Sequence, residues 1–217
     1  MANLNTENTA EVRRQLGRRL VELRRPRARS APPAPGLARA ELTGRLVELS
    51  GRGNSATLTL ACQAILDAQR EGETAAWIGR AGSGFYPPDM AAGGVDLAAL
   101  PVVRCPDAKA VARAADRLAR SGAFGLLVLD LGDGDAPTPW QSRLAGLALK
   151  YDIAILLLTE KSAEAPSLGS LVSLRGQSER RRLPDGRFLC RFQALKDKQQ
   201  GPGWGREAAF DGPPGLR

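Results

Sequence analysis

The hydrophobic pattern between residues 44 and 74 predicts a strand, a turn and a helix in immediate succession. Residues 44–49 show the alternation of a buried strand, and residues 50–54 are rich in turn-forming glycine, serine and asparagine. After this turn, apolar side chains recur at helical spacing as far as Gly72: Leu58, Ala61, Cys62, Ile65 and Leu66. The remaining elements are expected to assemble around this unit.

Apolar runs further along the chain predict strands that alternate with helices. Strands are expected at residues 74–78, within 95–103, at 124–131 and at 153–159, and helices at 107–121 and 141–151. The run FGLLVLDL at 124–131 is typical of a central parallel strand that is covered on both faces. Two more strands are predicted at 171–174 and 188–195. They are joined by the very basic segment 175–187, in which Pro184-Asp185-Gly186 predicts a hairpin turn.

The two ends of the chain are predicted to lie outside the core. Residues 1–25 are expected to hold a basic amphipathic helix, from about Thr9, with one apolar stripe: Val12, Leu16, Leu20 and Leu23. Residues 26–36, rich in proline and arginine, indicate a semi-rigid linker. The core is assigned to residues 37–205, and residues 206–217 to a flexible tail. The stripe could pack on its own domain, on another chain or, least favoured, on a membrane surface.

The net charge of +8 is concentrated at the two ends of the chain. Residues 1–40 carry nine arginines against three glutamates, and residues 171–206 carry nine basic side chains against three acidic ones. Residues 41–170, in contrast, are mildly acidic. This polarity suits an acidic protein surface or a phosphate backbone as the partner. The alternative is that arginine is simply frequent on solvated faces.

The composition excludes several kinds of site. The absence of histidine excludes a histidine-based triad or general base. Cys62, Cys105 and Cys190 form no C-x-x-C motif, so neither a structural zinc site nor a disulfide framework is expected. No apolar run approaches the ~20 residues of a membrane span, and the N-terminus lacks the apolar segment of a secretory signal. We therefore expect a cytoplasmic protein without membrane contact.

The turn at residues 50–54 stands where a phosphate-binding loop opens a helix, but its working residues are absent. When the pattern G-x-x-x-x-G-K-S/T is laid on Gly51, Ala56 takes the place of the second glycine. Thr57 then replaces the lysine that holds the terminal phosphates, and Leu58 replaces the hydroxyl that holds magnesium. No cofactor and no bound metal are predicted. The alternative is an ordinary strand–turn–helix that never bound a nucleotide.

Three sequence pieces resemble the ATPase core of the bacterial RecA recombinases, in order and in approximate spacing. They are Gly44-Arg45-x-Val47-Glu48-x-x-Gly51, Gln69-Arg70-Glu71-Gly72-x-Thr74, and Leu118-Ala119-Arg120-Ser121-Gly122-Ala123 before the strand that ends at Asp130. The resemblance covers about residues 37–210. It implies an α/β, RecA-like fold, in which a twisted, mostly parallel sheet is flanked by helices and carries a C-terminal antiparallel hairpin, with the N-terminal helix separate. A RecA-like chain of this length without nucleotide motifs looks most like the ImuA family, which is also described as SulA-like.

The resemblance also implies which functional groups this chain has lost. Ala81 falls at the position of the glutamate that activates water in RecA-like ATPases, and Asp130 at the position of the acid behind the magnesium. The segments that follow strands 124–131 and 153–159 are mobile DNA-binding loops in RecA. Here the first is acidic and the second is short, and acidic loops repel phosphate. The DNA-binding route of the family is therefore expected to be largely lost.

Two sets of residues remain as candidate binding groups. Lys196 and Lys198 resemble the lysines that reach a neighbour's ATP in the RecA filament, and Trp204 is a candidate partner anchor or a lid on the sheet edge. The alternative for the lysines is a solvated turn. A possible DNA-binding or partner-binding patch is formed by basic residues of the C-terminal part: Arg175, Arg180, Arg181, Arg182, Arg187 and Arg191.

The ImuA resemblance implies a non-catalytic accessory protein of damage-induced mutagenesis. Its expected partners are the RecA filament, an ImuB-like inactive Y-family polymerase and an error-prone replicative-type DNA polymerase, near the nucleoid. By mimicking a RecA protomer, such a protein would restrain recombination. The alternatives are a sequence-independent DNA-binding module, a SulA-like inhibitor of cell division and an active ATPase.

Overall fold

The computed structural model describes Leu37 and residues 39–211. The predicted N-terminal helix, with Val12, Leu16, Leu20 and Leu23, lies outside the described residues, as does the linker 26–36. The helices are α1 (Arg39–Leu42), α2 (Thr57–Arg70), α3 (Pro87–Ala92), α4 (Ala108–Arg120) and α5 (Thr138–Tyr151). The strands are β1 (Leu46–Ser50), β2 (Ala75–Arg80), β3 (Val102–Cys105), β4 (Leu126–Gly132), β5 (Ala154–Thr159), β6 (Leu174–Arg182), β7 (Phe188–Asp197) and β8 (Gly205–Phe210).

The described strands form one mixed sheet in the order β3-β2-β4-β5-β1-β6-β7-β8. The first six run parallel, and β7 and β8 continue the sheet as an antiparallel extension. Helices α2 and α3 cover one face, while α4 and α5 cover the other. The predicted α/β fold, with a mostly parallel sheet and a C-terminal antiparallel hairpin, is confirmed.

Strand β4 lies in the middle of the parallel part, between β2 and β5. Its residues from Leu126 to Leu131 are all buried, because helices cover both faces of the sheet at this point. Two buried layers require apolar side chains at odd and even positions alike, and Asp130 is the one exception in this run. The prediction of a central parallel strand is confirmed.

The boundaries predicted for the C-terminal strands are wrong in several places. Strand β6 begins at Leu174, where the predicted strand 171–174 was expected to end, and extends to Arg182, so the segment expected to connect two strands is itself mostly strand. Residues 174–178 are all buried and residues 179–182 are all exposed, so no alternation marks this strand in the sequence. Likewise, part of the predicted flexible tail forms β8, which pairs with β7 and buries Ala208.

The hairpin turn between β6 and β7 is confirmed at the predicted residues. The amide of Leu183 donates to the carbonyl of Arg187 at 2.7 Å, and Gly186 adopts a φ of +86°. This left-handed conformation favours glycine, which has no Cβ to clash with the backbone. Helix α5 begins three residues earlier than predicted, at Thr138, with proline in its first turn.

Candidate functional site

The loop between β1 and α2 occupies the position of a phosphate-binding loop and lies at the carboxyl ends of the parallel strands. Its first amide, that of Gly51, donates to the carbonyl of Thr159 at the end of β5, at 3.1 Å. On the other side, the amide of Arg180 in β6 donates to the carbonyl of Asn54 at 2.7 Å. The loop is therefore attached to both neighbouring strands.

Three hydroxyl groups meet beneath this loop. The Thr57 hydroxyl lies 2.7 Å from that of Ser178 in β6, and the Ser55 hydroxyl is in hydrogen-bond contact with both. Ser178 also donates to the carbonyl of Ser50 at 3.1 Å. The amide of Thr57, the first of helix α2, donates to the Ser55 hydroxyl at 3.0 Å. A helix N-terminal amide that could bind an anion is thereby used within the protein.

The loop also folds closely onto its own beginning. A Cβ atom added to Gly51 would lie only 2.1 Å from the hydroxyl oxygen of Ser55 and 2.6 Å from that of Ser178. Only glycine fits at this position, because the Ser55 side chain fills the space above it. The interior of the loop is therefore occupied by the side chains of the chain itself.

The groups in this loop do not fit a magnesium–nucleotide complex held in the manner of a P-loop. Thr57 brings no charge to a terminal phosphate, and Leu58 brings no oxygen to a magnesium ion. The Leu58 side chain is 43% exposed and lies against Gly84. Among the described residues, no three His, Cys, Asp or Glu side chains are arranged as metal ligands.

Asp130, in the position of the magnesium-associated acid, is buried near the end of β4. One carboxylate oxygen accepts a hydrogen bond from the amide of Gly84 at 3.1 Å. Burial raises the pKa of this carboxyl, against the lowering effect of the amides of Gly84 and Gly132. The side chain thus holds the loop after β2. In that loop Ala81 is exposed, and its amide donates to the carbonyl of Cys105 at 3.1 Å.

The segment after β5 is tied to the sheet by Glu48, which sequence reasoning did not single out as a functional residue. Glu48 is fully buried in β1 and accepts hydrogen bonds from the hydroxyl of Ser167 and the amide of Leu168, both at 2.9 Å. Arg175 donates to the carbonyl of Ser162 at 2.8 Å and to that of Ala165. The segment is held at both ends, which a mobile loop would not be. In the sequence, the only sign of a special role for Glu48 is that it is the single charged residue in the mostly apolar strand β1.

The predicted basic patch does not form one surface. Arg175 is only 4% exposed and belongs to the Glu48 cluster. The remaining arginines are exposed but divided by the pleat of the sheet: Arg180 and Arg182 lie on the α2 side, while Arg181 and Arg191 lie on the other. Two of the five exposed arginines also have nearby carboxylates, since Arg187 pairs with Asp185 and Arg191 with Glu207.

The two candidate lysines differ in their surroundings. Lys196 is half-buried in β7, and its ammonium donates to the carbonyl of Gly169 at 3.0 Å. Burial, followed by the charge of Lys198, lowers the pKa of Lys196. Lys198 follows the strand and is exposed. Of the pair, Lys198 is therefore the residue available to a partner.

Trp204 packs onto the sheet as a lid. Its ring centroid lies 5.2 Å from that of Phe192, and its indole nitrogen donates to a carboxylate oxygen of Asp197 at 3.0 Å. The side chain is half-buried against the core. A role of Trp204 as a partner anchor stays a prediction.

A groove that the sequence did not predict lies beside the loop between β1 and α2. It has a volume of about 640 Å³ and separates α2 and α3 from the antiparallel extension. Apolar side chains line much of it: Leu58, Cys62, Tyr86, Met90, Phe188 and Phe210. Burial, with a contribution from Asp89, raises the pKa of the Cys62 thiol to about 11. Cys62 is therefore a protonated, unreactive lining residue at neutral pH.

In the described part of the chain, no helix is both long and apolar enough to cross a membrane.

Comparison with known proteins shows similarity to RecA over about half of the chain. RecA of Corynebacterium jeikeium is 35% identical over 132 residues, which are 55% of this chain and 35% of the relative. RecA of Picosynechococcus sp. is 34% identical over 119 residues (49% and 34%), and RecA of Leifsonia xyli subsp. xyli is 37% identical over 120 residues (49% and 33%). The chain spans about a third of the length of these curated relatives. No protein-family model matches the chain.

Proposed function

We propose that this chain is a non-catalytic relative of RecA, a member of the ImuA group, which acts as an accessory protein in damage-induced mutagenesis. It binds a RecA filament, imitates one protomer and restrains recombination. An ImuB-like inactive polymerase and an error-prone replicative-type polymerase are its further partners in translesion DNA synthesis. The observation that carries this proposal is a RecA-like body whose phosphate-loop position is filled by the hydroxyls of Ser55, Thr57 and Ser178.

The asymmetry between the two ends of the site supports imitation rather than catalysis. One end, the loop after β1, lacks the charge and the metal-holding oxygen that a nucleotide would need. The other end carries an exposed cation, Lys198. By its resemblance to the RecA sequence, this lysine corresponds to one that reaches the neighbour's nucleotide in a RecA filament. A protomer of this kind can be added to the ATP-bearing end of a filament. It offers no nucleotide to the next protomer, so growth stops there.

The firm attachment of the segment 162–169 supports the same conclusion. Glu48 and Arg175 hold this segment from both sides, and the segment carries Glu164 but only proline, serine and small or apolar residues otherwise. A loop that is fixed at both ends and carries no basic side chain is not suited to bind the phosphate backbone of DNA. We therefore infer that the surface around the segment 162–169 contacts RecA protein rather than the DNA inside the filament.

The proposal is tested with RecA filaments assembled on single-stranded DNA in the presence of a slowly hydrolysed ATP analogue. We expect the full chain to sediment with the filaments and to inhibit strand exchange. Lys198→Glu is expected to weaken binding roughly tenfold, since it reverses a charge at an interface. The matched control is Lys109→Glu, which makes the same charge change at an exposed position in the first turn of α4.

Two results would contradict the proposal. The first is the absence of co-sedimentation by the full chain. The second is equal binding by Lys198→Glu and the wild type, which would remove the filament-capping arrangement. A variant without residues 1–30 measures separately what the predicted N-terminal helix contributes.

A further inference from the structure

Helices α4 and α5 pack side by side on the sheet face opposite to α2 and enclose a small cleft. The cleft has a volume of about 200 Å³. Its apolar lining comes from Ala112, Leu144 and the half-buried ring of Trp140. The space is comparable to one large side chain and is too small for a folded partner to enter.

Arginine side chains surround this apolar floor. Arg113 and Arg117 are exposed and lie one helical turn apart on α4, so their guanidinium groups share one face. In the described part of the chain, neither has a carboxylate within ion-pair distance. Arg143 reaches across from α5, and its Nε lies 2.9 Å from a carboxylate oxygen of Asp116. Asp116 also holds Arg120 at 3.0 Å.

The cleft is therefore positively charged, although the surrounding sequence is not. Four arginines meet a single aspartate here, whereas residues 41–170 as a whole carry more acidic than basic side chains. Helical spacing on α4 and the packing of α5 against it gather cations that are scattered in the sequence. Asp116 pairs with two of these arginines, Arg120 and Arg143. Arg113 and Arg117 are therefore available to a ligand.

An apolar centre within a ring of arginines suits a peptide better than a nucleic acid. Aromatic and arginine side chains around a desolvated centre are typical of anchor sites in protein interfaces. Asp116 is paired with Arg120 and Arg143, so Arg113 and Arg117 are two neighbouring cations rather than the extended basic track that follows a phosphate backbone. A peptide can place its carboxylates around Asp116 and its apolar side chain over the floor.

We propose that the α4–α5 cleft, formed by Arg113, Arg117, Arg143 and Trp140, is a docking site for an acidic segment of a partner protein. The carboxylates of the segment pair with the arginines, and one large apolar side chain enters the cleft against Trp140 and Leu144. This cleft lies on the face of the sheet opposite to α2, away from the loop between β1 and α2. Peptide binding in the cleft can therefore be tested independently of the proposed interaction with RecA.

The experiment uses the full chain and a capped peptide of about ten residues, in which glutamates and aspartates surround a central Leu-Phe pair. Of the three tryptophans, Trp77 is fully buried and Trp204 is stacked on Phe192, so Trp140 is the reporter within the cleft. We expect a saturable blue shift of tryptophan emission, weakened by salt and lost in Trp140→Phe. Replacing the Leu-Phe pair of the peptide by two serines should weaken binding roughly tenfold.

Charge-reversal variants locate the site. Arg113→Glu with Arg117→Glu is expected to weaken peptide binding at least about tenfold. Arg52→Glu with Arg70→Glu makes the same change in net charge at exposed positions elsewhere and is expected to alter binding by less than about threefold. Arg113→Gln with Arg117→Gln repeats the test without new negative charges, in case the reversed pair fails to fold.

Three outcomes would overturn the proposal. One is no saturable shift with the acidic peptide at millimolar concentration. Another is equal weakening by the two charge-reversal pairs, which would reduce the interaction to net charge. The third is a Trp140 shift with a twelve-nucleotide oligothymidylate and none with the peptide, which would assign the cleft to nucleic acid.

Discussion

The hydroxyl of Thr57 lies 2.7 Å from the hydroxyl of Ser178, which is 121 positions further along the chain. Thr57 opens helix α2 at the point where a P-loop places its lysine, and Ser178 lies in β6 beside it. Their contact ties the first residue of helix α2 to strand β6, in the parallel part of the sheet.

The link between these hydroxyls is measurable as a coupling free energy. Thr57→Val and Ser178→Ala each remove one partner with little change in shape, and each is expected to destabilise the protein by about 1 kcal/mol. The double variant should lose less than the sum, with a coupling of about 0.5–1.5 kcal/mol in urea unfolding. Strict additivity would show that the two groups do not interact in solution.

Two glycines, one in strand β6 and one in helix α5, provide a matched pair for testing packing. A Cβ on Gly176 in β6 would lie 1.7 Å from a ring carbon of Phe192, whereas one on Gly146 in α5 would meet nothing within 4 Å. Gly176→Ala is therefore expected to destabilise the protein by roughly 1–3 kcal/mol or more, because the ring must move. Gly146→Ala should stabilise it by about 0.5–1 kcal/mol, since alanine is the better helix former. Thermal unfolding of the two variants in opposite directions checks both expectations.

A buried ion pair ties the start of β1 to the end of β7. The guanidinium of Arg45 lies 2.6 Å from a carboxylate oxygen of Asp197, and the two side chains are 3% and 0% exposed. Arg45→Ala leaves the carboxylate buried without its cation and is expected to cost about 3–5 kcal/mol. Arg191→Ala, at an exposed ion pair with Glu207, is the control and should cost about 1 kcal/mol or less.

The same pair contributes to the pH dependence of stability. Burial tends to raise the pKa of Asp197, but hydrogen bonds from Gln199, Arg45 and Trp204 together hold it below the ordinary value. A carboxyl whose pKa is lowered on folding stabilises the protein above its unfolded pKa, and that stability is lost as the pH falls through the folded pKa. Asp197→Asn should therefore show a shallower loss of stability on acidification. An unchanged acid profile would contradict this account.

Asp130 is expected to change the pH dependence of stability in the direction opposite to that of Asp197. Because burial raises its pKa in the folded state, the folded protein binds this proton more tightly than the unfolded chain, and stability falls as the pH rises through that range. Asp130→Asn, whose amide oxygen can still accept from Gly84, should raise the melting temperature at pH 7 and remove this fall. Asp133→Asn, at an exposed ion pair with Arg80, should leave the pH profile nearly unchanged.

The fold could be predicted from the sequence where one signal dominated. Strand β4 is apolar at every position from Leu126 to Leu131 except Asp130, because two helical layers cover it, and α2 shows its buried face through regular spacing. Strand β6 was cut short because Arg180, Arg181 and Arg182 suggested a loop. Residues 174–178 are all buried and residues 179–182 are all exposed, so no alternation marked this strand in the sequence, and its extent follows from its pairing with β7.

The candidate site was predictable only where its residues are adjacent in the sequence. The degenerate loop could be identified from Gly51 to Leu58, but nothing local connects Ser178 to Thr57. The same holds for Trp140 and Arg143 on α5, which meet Arg113 and Arg117 on α4 only after both helices pack on the sheet. Such long-range contacts depend on the topology of the whole sheet. The distribution of charge along the sequence does not predict them.

The most direct test of the account is a calorimetric titration of the full chain with ATP in the presence of magnesium. Because the hydroxyls of Ser55, Thr57 and Ser178 fill the loop and Leu58 offers magnesium no oxygen, we expect no saturable heat up to millimolar nucleotide. Saturable binding with a micromolar dissociation constant, lost on removal of magnesium, would contradict it, because the loop would then open and hold a nucleotide after all.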